Sequence, residues 1–200
     1  MRVNLLKSNP KVYSCNSYLI RGDWNAISDV NALIDVGIDG SIRDELESLS
    51  TGIGKRKLDC IVLTHEHFDH AGGLSKIKSE YNKPVVYSYS KLADSDVQLY
   101  DGMKIKLGDE TAEIIHTPWH SNDSVCIYFP KSRVLFSGDT LLFIKSNAGT
   151  YPAAYLEMLK RFLKMNLNVV YSGHDEPVDK NINAMLEFSI SNLMKSELLK

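Results

Sequence analysis

Over the first two thirds of the chain, apolar residues come in short β-branched or alternating runs. Residues 12–20 (VYSCNSYLI) and 31–37 (NALIDVG) read as two strands joined by the polar turn RGDWNAISD. Residues 41–50 place Ile42, Leu46 and Leu49 at helical spacing, with Asp44 and Glu45 near the start, and predict a helix. LDCIVLT, residues 58–64, is a continuous apolar run too short for a helix and predicts a buried strand. The Leu74/Ile77 spacing predicts a helix over 72–81, and 83–90 returns to strand. Strands recur at MKIKLG (103–108), TAEIIHT (111–117), SVCIYFP (124–130) and RVLFSGD (133–139), separated by turns. Residues 152–165 open on a proline suited to the first helical turn and carry Leu156, Leu159 and Leu163 on one face. NVVYSGH (168–174) is a strand running into a loop, and 181–200 reads as a closing helix. Mostly antiparallel strands with helices at the flanks predict two packed sheets covered by helices.

Composition narrows the class. Two hundred residues suffice to bury a real core and are read as one domain, 1–200. With 44% hydrophobic and 24% charged residues the chain is not a disordered one. A formal net charge of −2 gives no reason to expect a polyanion, and the one short basic cluster, GKRK at 54–57, reads as a solvated loop. No nucleic-acid partner is expected. No segment approaches a membrane span, and the N-terminus lacks the long apolar stretch of an export signal, so no membrane association is expected. Cys15, Cys60 and Cys126 are widely spaced among apolar residues and read as buried free thiols of a reducing compartment, hence a cytoplasmic protein.

The chemistry concentrates in THEHFDHAGG, residues 64–73, which holds three of the six histidines and an aspartate. His65 and His67 are two apart, so an extended segment sends both imidazoles to the same side. Asp69 and His70 follow Phe68, where a turn toward the glycines can aim them at a second position. One short loop can thus serve two neighbouring cations. Further ligands are then expected in loops after later strands, where sites are normally assembled. His120 follows AEII, Asp139 follows RVLFS and His174 follows NVVY.

This ordered set closely resembles the metallo-β-lactamase superfamily. Its His-x-His-x-Asp-His signature stands as HEHFDH, its Thr-Pro-Gly-His segment as TPWH, its Gly-Asp-Thr as GDT and its late Gly-His as GH; NSYLI and LIDVG look like its opening strands. The resemblance covers essentially the whole chain. It implies an α+β fold, a four-layer αββα sandwich with the site at one edge of two sheets. Carried over residue by residue, it gives His65, His67 and His120 to a first metal and Asp69, His70 and His174 to a second. Asp139 bridges them. Two such cations about 3.5–4 Å apart lower the pKa of a water from about 15.7 to near 7 and polarise a carbonyl. Asp69 would be catalytic by accepting a hydrogen bond from the bridging hydroxide. The expected reaction is hydrolysis of an ester, thioester or related acyl bond in a small molecule.

All seven candidates are nitrogen or oxygen donors, which suits zinc, two ions per chain, with iron or manganese compatible. The glyoxalase II branch is similar through GDTLLF, but no Gly-Arg follows it here, and only one short helix is expected after His174 where that branch has a helical glutathione-binding region. Two other classes stand beside the hydrolase. One is a mononuclear iron oxygenase like the family's persulfide dioxygenases, with His65, His120 and Asp139 on the iron. The other is a metal-stabilised protein without catalysis.

Several residues carry two readings. His116 either braces the site or packs. Trp119, where the family usually has glycine, either walls the pocket or packs. Asp35 either braces a ligand histidine through its second nitrogen or forms a turn beside Gly37, and Asp123 invites the same pair of roles. Glu66 reads as a solvated carboxylate or one that braces a ligand, and Lys145 and Tyr151 as candidates for the pocket rim.

Overall fold

The computed structural model describes residues 1–6, 11–92 and 94–199. Its first half runs β1 (Arg2–Leu6), β2 (Ser17–Arg21), β3 (Ala32–Ile34), α1 (Arg43–Ser48), β4 (Cys60–Val62), α2 (Phe68–Ala71), α3 (Leu74–Glu80), β5 (Val85–Ser88) and β6 (Val97–Gln98). Its second half runs β7 (Lys104–Leu107), β8 (Glu110–His116), β9 (Val125–Phe129), β10 (Val134–Gly138), β11 (Thr150–Pro152), α4 (Ala153–Lys164), β12 (Val169–Ser172), α5 (Ile182–Lys195) and β13 (Glu197–Leu199).

The first sheet has the order β1-β2-β3-β4-β5-β6 and the second β12-β10-β9-β8-β7, with β11 and β13 paired apart from both. Successive side chains on a strand point to opposite faces, and that alternation sorts the core into three layers. Tyr18 and Ile20 of β2 join Ala32, Ile34, Val62, Ile114, Ile127 and Phe136 between the two sheets. Leu19 points the other way and packs with Leu33 and Ile61 against Ile42 and Leu46 of the α1 region and Leu74 and Ile77 of α3. On the second sheet's outer face Ile115, Cys126, Leu135 and Val170 pack against Tyr155, Leu159 and Phe162 of α4 and Leu186 and Leu193 of α5. Helices, sheet, sheet, helices: this is the αββα sandwich. Strands β2, β9 and β10 are buried at every position because both of their faces are covered.

The pairing is more mixed than the alternation pattern predicts. β3-β4, β4-β5, β5-β6 and β10-β12 are parallel. Helices α1 and then α2 and α3 fill the connections on either side of β4, and a helical crossover returns the chain in the same direction. Residues 12–16 precede the strand expected there, which is confined to Ser17–Arg21, and β1 pairs with it at the sheet edge. The closing helix stops at Lys195, and Glu197–Leu199 turns away to pair with β11. Pro152 caps α4 from outside the helix, one position earlier than expected. The three cysteines are buried and free. The basic cluster is spent on main-chain carbonyls: Lys55 donates to Ala26 and Asp29, and Lys57 to Glu47 and Leu49. Among the described residues no helix is long and apolar enough to cross a membrane.

Candidate metal centre

β8 and β10 both run antiparallel to β9, and β12 runs parallel to β10. The ends of β8, β10 and β12 therefore lie on one edge, and the loops leaving them carry His120, Asp139 and His174. The loop after β4 reaches the same edge from the other sheet, where the Val125 N–H donates to the Thr64 carbonyl at 2.8 Å. It carries His65 and His67, and α2 adds Asp69 and His70. His67 sits just before α2 with extended backbone, so the chain turns into a helix where the sequence predicts a turn.

All seven side chains named from the sequence meet here. One ligand atom each from His65, His67 and His120 lies within 4.8 Å of the others, and the same holds for Asp69, His70 and His174. His120 Nε2 is 2.9 Å from His67 Nδ1, and His174 Nε2 is 3.1 Å from Asp69 Oδ2. Asp139 lies between the groups: its Oδ2 is 3.4 Å from both His120 Nε2 and His174 Nε2. Its Oδ1 is 3.2 Å from His70 Nε2.

Three of the atoms aimed at this centre lack a hydrogen bond. His65 Nε2, His70 Nε2 and Asp139 Oδ1 are buried without a hydrogen bond, an expensive arrangement unless something else occupies their lone pairs. The opposite nitrogens explain the aim. His70 Nδ1 is 2.8 Å from Asp35 Oδ2. His65 Nδ1 is 3.1 Å from Thr64 Oγ1, whose own proton goes to Asp35 Oδ2 at 2.8 Å. Each imidazole is thus held by a partner on Nδ1 with Nε2 turned inward, where a cation can take the place of an Nε2 proton. A nitrogen and oxygen donor set held this way fits divalent cations such as zinc or iron.

Asp35 braces a ligand histidine, the first of its two readings, and the turn lies beyond it at residues 37–39. Asp35 is buried, it adopts the left-handed backbone at φ +54°, and its carboxylate orients His70 while accepting the Thr64 N–H. Asp123 accepts from the Glu66 N–H and from Ser121 Oγ, fixing the backbone between His65 and His67. His116 stays outside the centre, stacked on Tyr89 with ring centroids 4.0 Å apart and its Nε2 facing the Asn122 carbonyl. Trp119 packs edge-on against Tyr155 and donates to Met158 Sδ. Tyr151 likewise packs near Tyr155, whereas Lys145 borders a cavity beside Asp139.

Two glycines are set by contact. Gly138 has φ +49°, and a Cβ there would lie 2.7 Å from Thr64 Oγ1. At Gly173 a Cβ would lie 2.2 Å from Asp139 Oδ1. The glycines of GDT and GH let two strand ends approach the centre without a side chain in the way.

Proton equilibria follow the geometry. Burial pushes the His65 imidazolium down to about 4. Burial also works against the charge on His70, but the Asp35 carboxylate and the contact with Asp139 outweigh it and raise its pKa. His174 is raised by its contact with Asp139, and His120 is lowered by burial. Asp139 is opposed by burial yet held well below the usual carboxylate range by His174 and His70.

Three neighbours escaped the reading from motifs. Thr64 directly precedes the first histidine, and its place at a strand end was the available signal. The Cys15 thiol lies with Asp35 and His70 on the far side of that ring. Tyr13 stacks on His174 at 4.9 Å with its hydroxyl 3.4 Å from Nε2; no spacing rule joins residues so far apart.

Two cavities flank the centre and share His120. One, about 400 Å³, also touches Asp139 and His174. The other, about 650 Å³, also touches His67.

A family model described as "Metallo-beta-lactamase superfamily" matches residues 10–174. A hydroxyacylglutathione hydrolase from Rhodopseudomonas palustris is 36% identical over 125 residues, 60% of this chain and 49% of that protein. The chain thus spans about half the length of the hydroxyacylglutathione hydrolases it matches. A beta-lactamase-like protein 2 homolog from Caenorhabditis elegans is 27% identical over 205 residues, 96% of this chain and 67% of that protein. The crystal structure of ETHE1 from Myxococcus xanthus superposes with a TM-score of 0.67 at 19% identity, covering 96% of this chain and 89% of that one, a likeness of fold.

Proposed function

We propose that this chain, which belongs to the metallo-beta-lactamase superfamily, is a metal-dependent hydrolase that opens an ester, thioester or related acyl bond in a small molecule. The observation that carries the reading is the pairing of two three-residue donor groups with Asp139 between them. The mononuclear iron oxygenase keeps the same signature and fills one site, so the number of ions bound separates the two readings. The hydroxyacylglutathione hydrolases matched over half their length support the same class.

His65, His67 and His120 would hold one cation, Asp69, His70 and His174 the other, and Asp139 would contact both. Zinc is the first expectation and iron the second. When bound, the pair supplies an acidified water and a Lewis acid for the acyl oxygen. The chain's own residues do the rest. Asp69, 20% exposed on its side chain, would accept a hydrogen bond from the attacking water and so turn the water's lone pair toward the acyl carbon. Asp35 and Thr64 keep His70 and His65 from rotating during turnover. The reading extends to one domain over 1–200 acting in the cytoplasm.

Metal analysis of protein purified without added metal, paired with thioesterase assays, tests the reading. Two equivalents per chain with acyl-bond hydrolysis are expected. One equivalent of iron with oxygen uptake on a persulfide would replace the hydrolase by an oxygenase.

A further inference from the structure

The cavity of about 400 Å³ next to Asp139 presents more apolar than polar surface. Leu141, Leu142 and Phe143 line it from the loop after β10, Val170 from β12, Val178 from the following loop, and Met185 from α5. Leu142 and Val170 belong to the core beneath α4 and α5, so the cavity floor is the hydrophobic core itself. At its mouth Leu141 is 54% exposed, an uncovered apolar side chain two residues from Asp139. Ser137, Thr140, Lys145, Ser172, Asp175 and Glu176 supply the polar part of its lining. The cavity on the other side of His120 is polar, with Tyr89, Lys91, Gln98 and Asn122 in its lining. A bond placed at the centre therefore has an apolar space on one side and a hydrated, hydrogen-bonding space on the other.

We propose that the substrate carries an apolar, straight acyl tail lodged between the loop after β10 and α5, with its polar leaving group in the facing cavity. The proposal rests on the hydrolase reading above and adds the substrate class to it. In the reaction, water adds to the acyl carbon, the carbon–sulfur or carbon–oxygen bond breaks, and the leaving thiol or alcohol takes up the proton. The acid stays in the apolar cavity and the carrier in the polar one. Each methylene fully buried against Leu142, Val170 and Met185 is worth about a fourfold gain in kcat/KM.

The test uses metal-loaded protein and two series of thioesters. In one, a common polar thiol carries acyl groups from acetyl to decanoyl; in the other, acetyl is carried by thiols of increasing alkyl length. The expected result is a steep rise with acyl length that levels off once the cavity is full, and little dependence on thiol length. Met185→Trp, which fills the cavity, flattens the acyl series. Leu141→Asn, at an exposed position that tolerates a polar side chain, shallows the slope in a folded protein. A rise with thiol length instead, or an acyl series unchanged by both variants, overturns the proposal. Calorimetry with decanoate separates it from the parent reading. If no thioester is cleaved but decanoate binds and Met185→Trp abolishes binding, the cavity assignment stands and the hydrolase reading fails. If decanoate does not bind, the cavity assignment fails.

Discussion

Replacing Thr64 by valine keeps the side-chain volume and removes one hydroxyl. That hydroxyl donates to Asp35 Oδ2 at 2.8 Å and lies 3.1 Å from His65 Nδ1, in a residue 2% exposed. The backbone N–H of Thr64 still reaches Asp35 Oδ1, so the carboxylate keeps part of its anchoring. Losing a hydrogen bond to a charged acceptor costs about 1.5–3 kcal/mol, and stranding the His65 Nδ1 proton in a buried site costs about 1–3 kcal/mol. The two losses overlap because the site can relax, so about 2–4 kcal/mol of stability should disappear from the metal-free protein. For a chain of this size that lowers Tm by roughly 5–15 °C. Without its partner on Nδ1, His65 also loses its fixed ring direction, and metal affinity should fall about 10- to 100-fold. Urea unfolding of metal-free protein gives the first quantity, and competition with a chromophoric chelator gives the second. Thr64→Ser, which retains the hydroxyl, should recover most of the affinity. An affinity for Thr64→Val within about threefold of the parent would show that the hydroxyl packs without orienting the imidazole.

Gly138→Ala places a Cβ against Thr64 at a left-handed backbone position; it should destabilise by about 1–3 kcal/mol and lower metal content, measured by urea unfolding and elemental analysis. His116→Phe keeps the stack on Tyr89 and loses the hydrogen bond to the Asn122 carbonyl; it should cost no more than about 1–2 kcal/mol and leave metal stoichiometry unchanged. The Asp35 carboxylate and the contact with Asp139 raise the pKa of His70, so near neutral pH the metal-free protein holds a proton there that a cation must displace, and His174 is shifted in the same direction. Metal binding in weak buffer should therefore acidify the solution, and apparent affinity should rise with pH by about tenfold per unit for each proton released. A flat pH dependence from pH 6 to about 8 would contradict that assignment.

Much of the centre was legible because its chemistry is dense and local. HEHFDH packs four donors into six residues, and His120, Asp139 and His174 each follow a short apolar run that can only be a strand. What stayed hidden is tertiary. Tyr13 meets His174 across 161 residues of chain. Cys15 reads as an ordinary apolar position, and its place behind His70 follows from the packing of β2 against the first loop. The missed strands β1, β6, β11 and β13 have two to five residues each and hold their conformation through a neighbour, so no periodicity marks them. The parallel pairings were obscured for a related reason: a strand's own sequence says that it is buried, while the length and helicity of the connection set its direction. Trp119 shows the limit from the other side. Its departure from glycine was visible, but whether the ring faces the pocket or Tyr155 is decided by α4.

The central claim is that loops from both sheets hold a pair of cations on either side of Asp139. A crystal structure of metal-loaded protein, with anomalous data collected at the absorption edge of the metal found, tests it directly. Two peaks are expected about 3.5–4 Å apart, one within bonding distance of His65, His67 and His120 and the other of Asp69, His70 and His174. A single peak that leaves Asp69 and His174 without a metal, at full occupancy and with excess metal present, would contradict it.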